Sequence, residues 1–199
     1  MTWIMDTDVV KSKKADDKKD SPSNFESEGN TLYFYSSVDD DSIFSLNKEL
    51  EKKDRQLQVL GIENNIDPPP IRLKLHSYGG SVFSAFAAIN YIKNTKCDVH
   101  TYVDGAAASA GTLMSVVGTK RYISENAYML IHQLSSSHWG NYEQLKDDME
   151  NSKALMSRIK EIYQQHTRIP KIKLKDILKR DLWWDAKTCL EYGLVDDII

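Results

Sequence analysis

The chain has 199 residues, 41% of them hydrophobic, with 26 basic against 29 acidic side chains and a formal net charge of -3 at pH 7. That length suits one domain with its own core, and charge of mixed sign with no concentrated basic face argues against a nucleic-acid partner. No apolar run approaches the roughly 20 residues that cross a bilayer, "MTWIMDTDVV" is too short and acidic for a secretory leader, and the two cysteines, Cys97 and Cys189, form no CxxC pair. The expectation is a cytoplasmic protein with buried thiols, no disulfide framework, no metal or cofactor site and no membrane partner.

Residues 1–30 read as a disordered N-terminal tail, because "KSKKADDKKDSPSNFESEGN" offers almost nothing to bury. An arm that orders against a partner through "MTWIM" is the other reading. Residues 31–199 read as one domain. "TLYFYS" predicts a strand, "DDDSIFSLNKELEKKDRQLQVLG" a helix with an aspartate or serine cap, and "NNIDPPP" a rigid linker. "IRLKLHS" alternates as a strand does, "YGG" breaks it, and "SVFSAFAAINYIKNT" carries helical apolar spacing. The pattern then repeats: "VHTYVDG" as strand, "AAAS" as turn, "AGTLMSVVG" as helix. Two strand-turn-helix units in succession imply an α/β fold with a parallel sheet and both turns at the carboxyl edge, where sites in such sheets are built. Two strands follow, "KRYIS" and "AYMLIH", and then a helix from about Asn141 to His166 with Leu145, Met149, Met156, Ile159 and Tyr163 on one face. "LKDILKRD" predicts a short helix, "LWW" an extended piece, and "DAKTCLEYG" a last helix capped by Asp185 and stopped by Gly193.

The run "DGAAASAGT", residues 104 to 112, admits two readings. It is a tightly packed helix start, or a turn that presents Ser109 as a nucleophile with backbone N–H groups aimed at a developing oxyanion. Acyl transfer by a serine also needs a base, a group to orient that base, and oxyanion donors. His132 ends a strand, Asp181 lies between a helix and "LWW", and Gly79, Gly80 and Ala110 supply unhindered N–H groups. Each of these taken singly has an ordinary structural explanation: a satisfied histidine, a helix-boundary cap, a glycine turn.

Taken in order and spacing, "HSYGGSV", "DGAAASAGTL", "YMLIHQ" and "KRDLWWDAKTCLEYGLVD" resemble the proteolytic subunit of the Clp protease, the ClpP family of serine peptidases. The resemblance covers nearly all of the chain after Leu32 and includes features of the divergent members carried by bacteriophages. It implies a ClpP/crotonase-like fold of repeated strand-turn-helix units, with a protruding helix-and-strand handle over about residues 133–166. It implies a catalytic triad of Ser109, His132 and Asp181, an oxyanion hole from Gly80 and Ala110, and extended substrate beside Gly79, Gly80, Ser81, Val82, Gln133 and Leu134. It further implies a serine endopeptidase acting on unfolded proteins or peptides inside stacked heptameric rings, a 14-mer, fed by a hexameric AAA+ ATPase unfoldase. Two departures stand out: a tyrosine replaces the family's proline in "SYGG", and "LSSSHWGN" replaces a glycine-rich segment after the base. A non-catalytic ring subunit and a crotonase-type acyl-thioester enzyme are the rival readings; the first would lose the triad and the second has no use for it.

Overall fold

Alternation along β3 (Ile71–Ser77) buries Ile71, Leu73 and Leu75 on one face, and the sheet is built outward from this strand. The computed structural model describes residues 27–199. The start "MTWIM" and nearly all of the expected tail lie outside the described residues. In spatial order, β2 (Thr31–Phe34), β3, β4 (Val99–Ala108), β5 (Lys120–Ile123) and β8 (Asp197–Ile198) run parallel, with β1 (Ser27–Glu28) antiparallel on the outer edge of β2. The boundary expected at residue 30 therefore moves. Ser27 and Glu28 pair with Leu32 and Thr31, and the Lys53 ammonium donates to the Gly29 carbonyl at 2.8 Å, fixing the turn between the two strands.

Helix α1 (Asp40–Asn64) starts where predicted: Asp39 accepts from the Ser42 N–H, and the Ser42 hydroxyl accepts in return from the Asp39 N–H. It runs three residues past Gly61 and stops at Asn65, which takes the left-handed conformation with φ 51°. Helix α2 (Val82–Asn94), capped by Ser81, connects β3 to β4. Helix α3 (Ala110–Ser115), buried at every residue, follows β4 at once. The turn expected at "AAAS" is instead strand up to Ala108, because Ala106, Ala107 and Ala108 find a partner in β6 (Tyr128–Leu130). β4 thus pairs with β5 along its first half and with β6 along its second.

That change of partner is made by a bulge. Leu75 pairs with Val103 but Ser77 pairs with Ala107, so β4 carries two extra residues opposite His76. The His76 ring fills the gap, its Nδ1 accepting from the Ala106 N–H at 3.1 Å. The bulge is what carries the end of β4 up to the turn after β3.

Helix α4 (Tyr142–His166) is capped by Asn141, with Gln144 completing a capping box. At about 1.5 Å per residue, its 25 residues span about 38 Å. Only Ile159, Ile162 and Tyr163 are buried, while Leu145 is 42% and Met149 56% exposed. The helix therefore stands off the domain over its first two-thirds. Residues 133–140, the other limb of the expected handle, form no strand within the chain. Helix α5 (Lys171–Ile177), β7 (Trp183–Trp184) and α6 (Ala186–Glu191), capped by Asp185, complete the fold. α5 begins three residues earlier than predicted, straight after Pro170 at its N-cap position. Among the described residues no helix is long and apolar enough to cross a membrane.

Both cysteines are free and buried, and burial pushes each thiol up to about 12. Burial, with Lys120 near His100 and with Lys93 and Arg121 near His166, lowers both imidazoles below their usual 6.5; the Arg121 guanidinium on Asp196 holds that carboxyl below 3.8. At these three groups the folded chain binds fewer protons than the unfolded one. Their stabilisation is complete above the ordinary values and is lost as pH falls through the lowered ones. The thiols act with opposite sign, their contribution present below the ordinary 9.0 and lost as pH rises toward the raised value. The melting temperature should be flat from about pH 7 to 8.5 and fall on either side. Calorimetry across pH 5 to 10 checks this, and a Tm that climbs on acidification contradicts it.

Candidate active site

Three backbone anchors bring the predicted residues together. The Ser109 N–H donates to the Leu130 carbonyl at 2.9 Å, tying the end of β4 to β6. Two residues beyond Leu130 comes His132, and the next residue, Gln133, is pinned by its N–H to the Leu178 carbonyl at 2.7 Å. β6 pairs antiparallel with β7, Leu130 opposite Trp183 and Met129 opposite Trp184. Continuing that register by two residues sets His132 opposite Asp181. The result is a contact of 3.6 Å between His132 Nδ1 and Asp181 Oδ1, longer than a hydrogen bond, with the Asp181 side chain 80% exposed.

Ser109 has φ 53° and ψ -122°, a conformation that non-glycine residues rarely adopt. Its hydroxyl makes no hydrogen bond among the described residues, so it is free for a substrate. The strained turn lifts it into a cavity of about 320 Å³ lined by Tyr78, Gly80, Val82, Ser109, Ala110, Leu113, His132, Gln133, Leu134, Ser135, Ile159 and Tyr163. Serine and histidine thus share one cavity, with the aspartate behind the histidine.

The turn after β3 must be glycine for two separate reasons. A side chain on Gly79 (φ 97°) would come within 2.7 Å of Ser109 Cβ, and one on Gly80 (φ 149°) within 2.2 Å of the Val38 carbonyl oxygen. Val38 clamps this turn, donating to the Gly79 carbonyl at 2.9 Å and accepting from the Ser81 N–H at 2.7 Å. The Gly80 N–H is left without an acceptor among the described residues, and the Ala110 N–H, at the first position of α3, has none in its helix. Two free donors therefore border the cavity that holds the Ser109 hydroxyl. Gly80→Ala is expected to displace the turn and lower kcat by roughly 10²- to 10³-fold, the cost of losing one oxyanion donor. Steady-state kinetics beside circular dichroism checks it; a folded variant with wild-type kcat removes Gly80 from the site.

Of the residues expected along the substrate, Gly80, Val82, Gln133 and Leu134 line the cavity, while Gly79 packs beneath Ser109. Ser81 does not line it; its hydroxyl caps α2 and its N–H is taken by Val38. Sequence reading missed Tyr78 as a wall of the cavity, with its ring edge-on to Trp183 at 6.2 Å. It also missed Thr112, whose hydroxyl donates to the Ser109 carbonyl at 2.6 Å and lies 2.5 Å from the Tyr163 hydroxyl. The signal for Thr112 was present as one of two polar residues, with Ser115, in a fully buried helix.

A second Ser-His-Asp arrangement occurs on the protruding segment. Ser136 Oγ is 2.7 Å from His138 Nε2, and His138 Nδ1 is 3.2 Å from Asp148 Oδ2. The His138–Asp148 contact is shorter than the 3.6 Å contact between His132 and Asp181. However, the Ser136–His138 contact is exposed, Ser152 also reaches His138 Nε2 at 3.3 Å, and the neighbouring Trp139 is 98% exposed.

The family model described as Clp protease matches residues 26–199. The ATP-dependent Clp protease proteolytic subunit of Bdellovibrio bacteriovorus is 35% identical over 147 residues, which cover 71% of this chain and 69% of that protein.

Proposed function

We propose, from the premise that the chain belongs to the Clp protease family and is a serine-type endopeptidase, that Ser109 is its nucleophile, His132 its general base and Asp181 the group that orients the base. The observation that carries this reading is the β6–β7 register, which sets His132 opposite Asp181 while Leu130 holds Ser109 beside them. The Ser109 hydroxyl attacks a peptide carbonyl and passes its proton to His132 Nε2, and the Gly80 and Ala110 N–H groups receive the negative oxygen. Collapse of the tetrahedral species expels the amine, which takes the proton from His132. Water activated by the same imidazole then hydrolyses the acyl-enzyme. Asp181 stabilises the imidazolium in both halves of the reaction.

The substrate lies extended along the cavity between the Gly80 turn and residues 133–135, adding a strand through main-chain hydrogen bonds. Val82, Leu113, Leu134 and Ile159 give the cavity apolar walls, so a peptide with a large apolar side chain before the cut bond fits best. The relative's name links it to an ATP-dependent machine; by extension this chain works in stacked heptameric rings supplied with unfolded protein by a hexameric ATPase. Hydrolysis of a fluorogenic peptide by the assembled protein and by its Ser109→Ala form tests the nucleophile.

The short distances around His138 favour a second reading, in which Ser136 is the reactive serine. Ser136→Ala separates the two. Unchanged hydrolysis retains Ser109, and loss of hydrolysis transfers the role.

A further inference from the structure

We propose that Tyr163 and Thr112 are positioning residues for the reaction, a hydrogen-bonded pair through which helix α4 holds Ser109 in its strained conformation. The inference rests on Ser109 being the nucleophile.

The direction of the hydrogen bonds follows from proton count. The Thr112 hydroxyl carries one hydrogen, and the Ser109 carbonyl 2.6 Å away can only accept. Thr112 therefore donates to Ser109, and in the 2.5 Å contact between Thr112 Oγ1 and the Tyr163 hydroxyl the tyrosine is the donor. The chain of donors runs from Tyr163 on α4, through Thr112 on α3, to the carbonyl of Ser109. The Thr112 N–H reaches the same carbonyl at 3.0 Å. On its other side Ser109 is held by its own N–H on Leu130. Both peptide groups of a residue at φ 53° are thus fixed, as a strained nucleophile requires if it is to keep one position.

Packing does not call for these hydroxyls. Tyr163 is 1% exposed and Thr112 0%; phenylalanine and valine would fill nearly the same volumes without burying oxygen, which costs stability unless every group is bonded. Burial also raises the Tyr163 phenol above its ordinary value, so it stays protonated and remains a donor at any working pH. Tyr163 and Ser109 line the same cavity. The other end of α4 carries the exposed Leu145 and Met149, so the helix that protrudes from the domain is bonded at its base to the nucleophile's backbone.

The test uses the full-length assembled protein, with kcat and KM for a fluorogenic peptide, the rate of fluorophosphonate labelling, and sedimentation on the same samples. Tyr163→Phe is expected to lower kcat and the labelling rate roughly 3- to 10-fold, with KM within twofold and the particle intact. Thr112→Val should lower kcat at least as far, the double variant should be no slower than Thr112→Val alone, and Thr112→Ser, which keeps the hydroxyl, should restore kcat. Wild-type kcat in both Tyr163→Phe and Thr112→Val overturns the proposal, as does a Thr112→Ser protein as slow as Thr112→Val, or a loss that merely tracks disassembly. If Tyr163→Phe does not assemble, the serine and valine variants at position 112 decide. Ser109→Ala keeps the two claims apart: turnover surviving there removes the nucleophile itself, whereas a dead Ser109→Ala beside fully active Tyr163→Phe and Thr112→Val removes only the positioning pair.

Discussion

Ser109→Ala is expected to abolish peptide hydrolysis, a fall on the order of 10⁶-fold in kcat, with the fold and the particle unchanged. Only one hydroxyl is removed, and it makes no hydrogen bond among the described residues, so nothing in the surrounding packing depends on it. The backbone anchors of the elbow, to Leu130 and from Thr112, do not involve the side chain. His132→Ala and Asp181→Asn should each lower the rate steeply, and the combined variants should be little worse than Ser109→Ala, because the three act as one unit. Kinetics of the single and combined variants checks this. Losses that add across the three would mean that at least one of them works elsewhere.

The second large effect is expected from α4. Tyr142, Leu145 and Met149 recur at helical spacing on its protruding part, 71%, 42% and 56% exposed, and Trp139 just before it is 98% exposed. Such a row of apolar side chains on a helix that leaves its own domain calls for a cover, and in the proposed ring assembly a second copy of the chain is expected to supply it. Met149→Glu costs the single chain little, because the position is exposed, but buries a charge in the contact between copies. The particle should break into smaller species with peptidase activity reduced at least about 10-fold at equal chain concentration, while Met149→Leu keeps both. Activity is expected to follow assembly because the segment after His132 is tied to the same helix: the Leu134 N–H points at the Met156 sulfur at 3.0 Å. The 3.6 Å separation of His132 and Asp181 is then expected to close to hydrogen-bond length when copies meet. Sedimentation with a peptidase assay on each fraction measures both quantities. Full activity in a monomer, or an intact large particle carrying Met149→Glu, contradicts the account.

Most elements were legible because local signals and tertiary demands agree. The caps expected before the first helix and at Asp185 are found at Asp39 and Asp185, and Ser81 and Asn141, read as helix starts, each cap their helix. What sequence could not give was set by long-range pairing. Three consecutive alanines read as a turn, yet β6 turns Ala106, Ala107 and Ala108 into strand. β1 and β8, two residues each, carry no periodicity and exist only because a neighbouring edge accepts them. At the site, Ser109, His132 and Asp181 were named from their motifs, but the register that sets the last two opposite each other depends on the expected extended piece "LWW" pairing with β6, which no local pattern gives. The Thr112–Tyr163 contact joins residues 51 apart in sequence, and the spacing of α4 alone suggested a uniform apolar face rather than a buried base and an exposed arm.

The claim that Ser109 carries the chemistry is tested most directly by covalent labelling of the assembled protein with a fluorophosphonate, followed by proteolytic digestion and mass mapping of the adduct. The reagent needs an activated serine, a base and an oxyanion site together, so it reports the whole constellation in one bond. The account predicts a single adduct on the peptide containing Ser109, absent in Ser109→Ala and greatly slowed in His132→Ala. An adduct on Ser136, or labelling of Ser109→Ala at the wild-type rate, would contradict it.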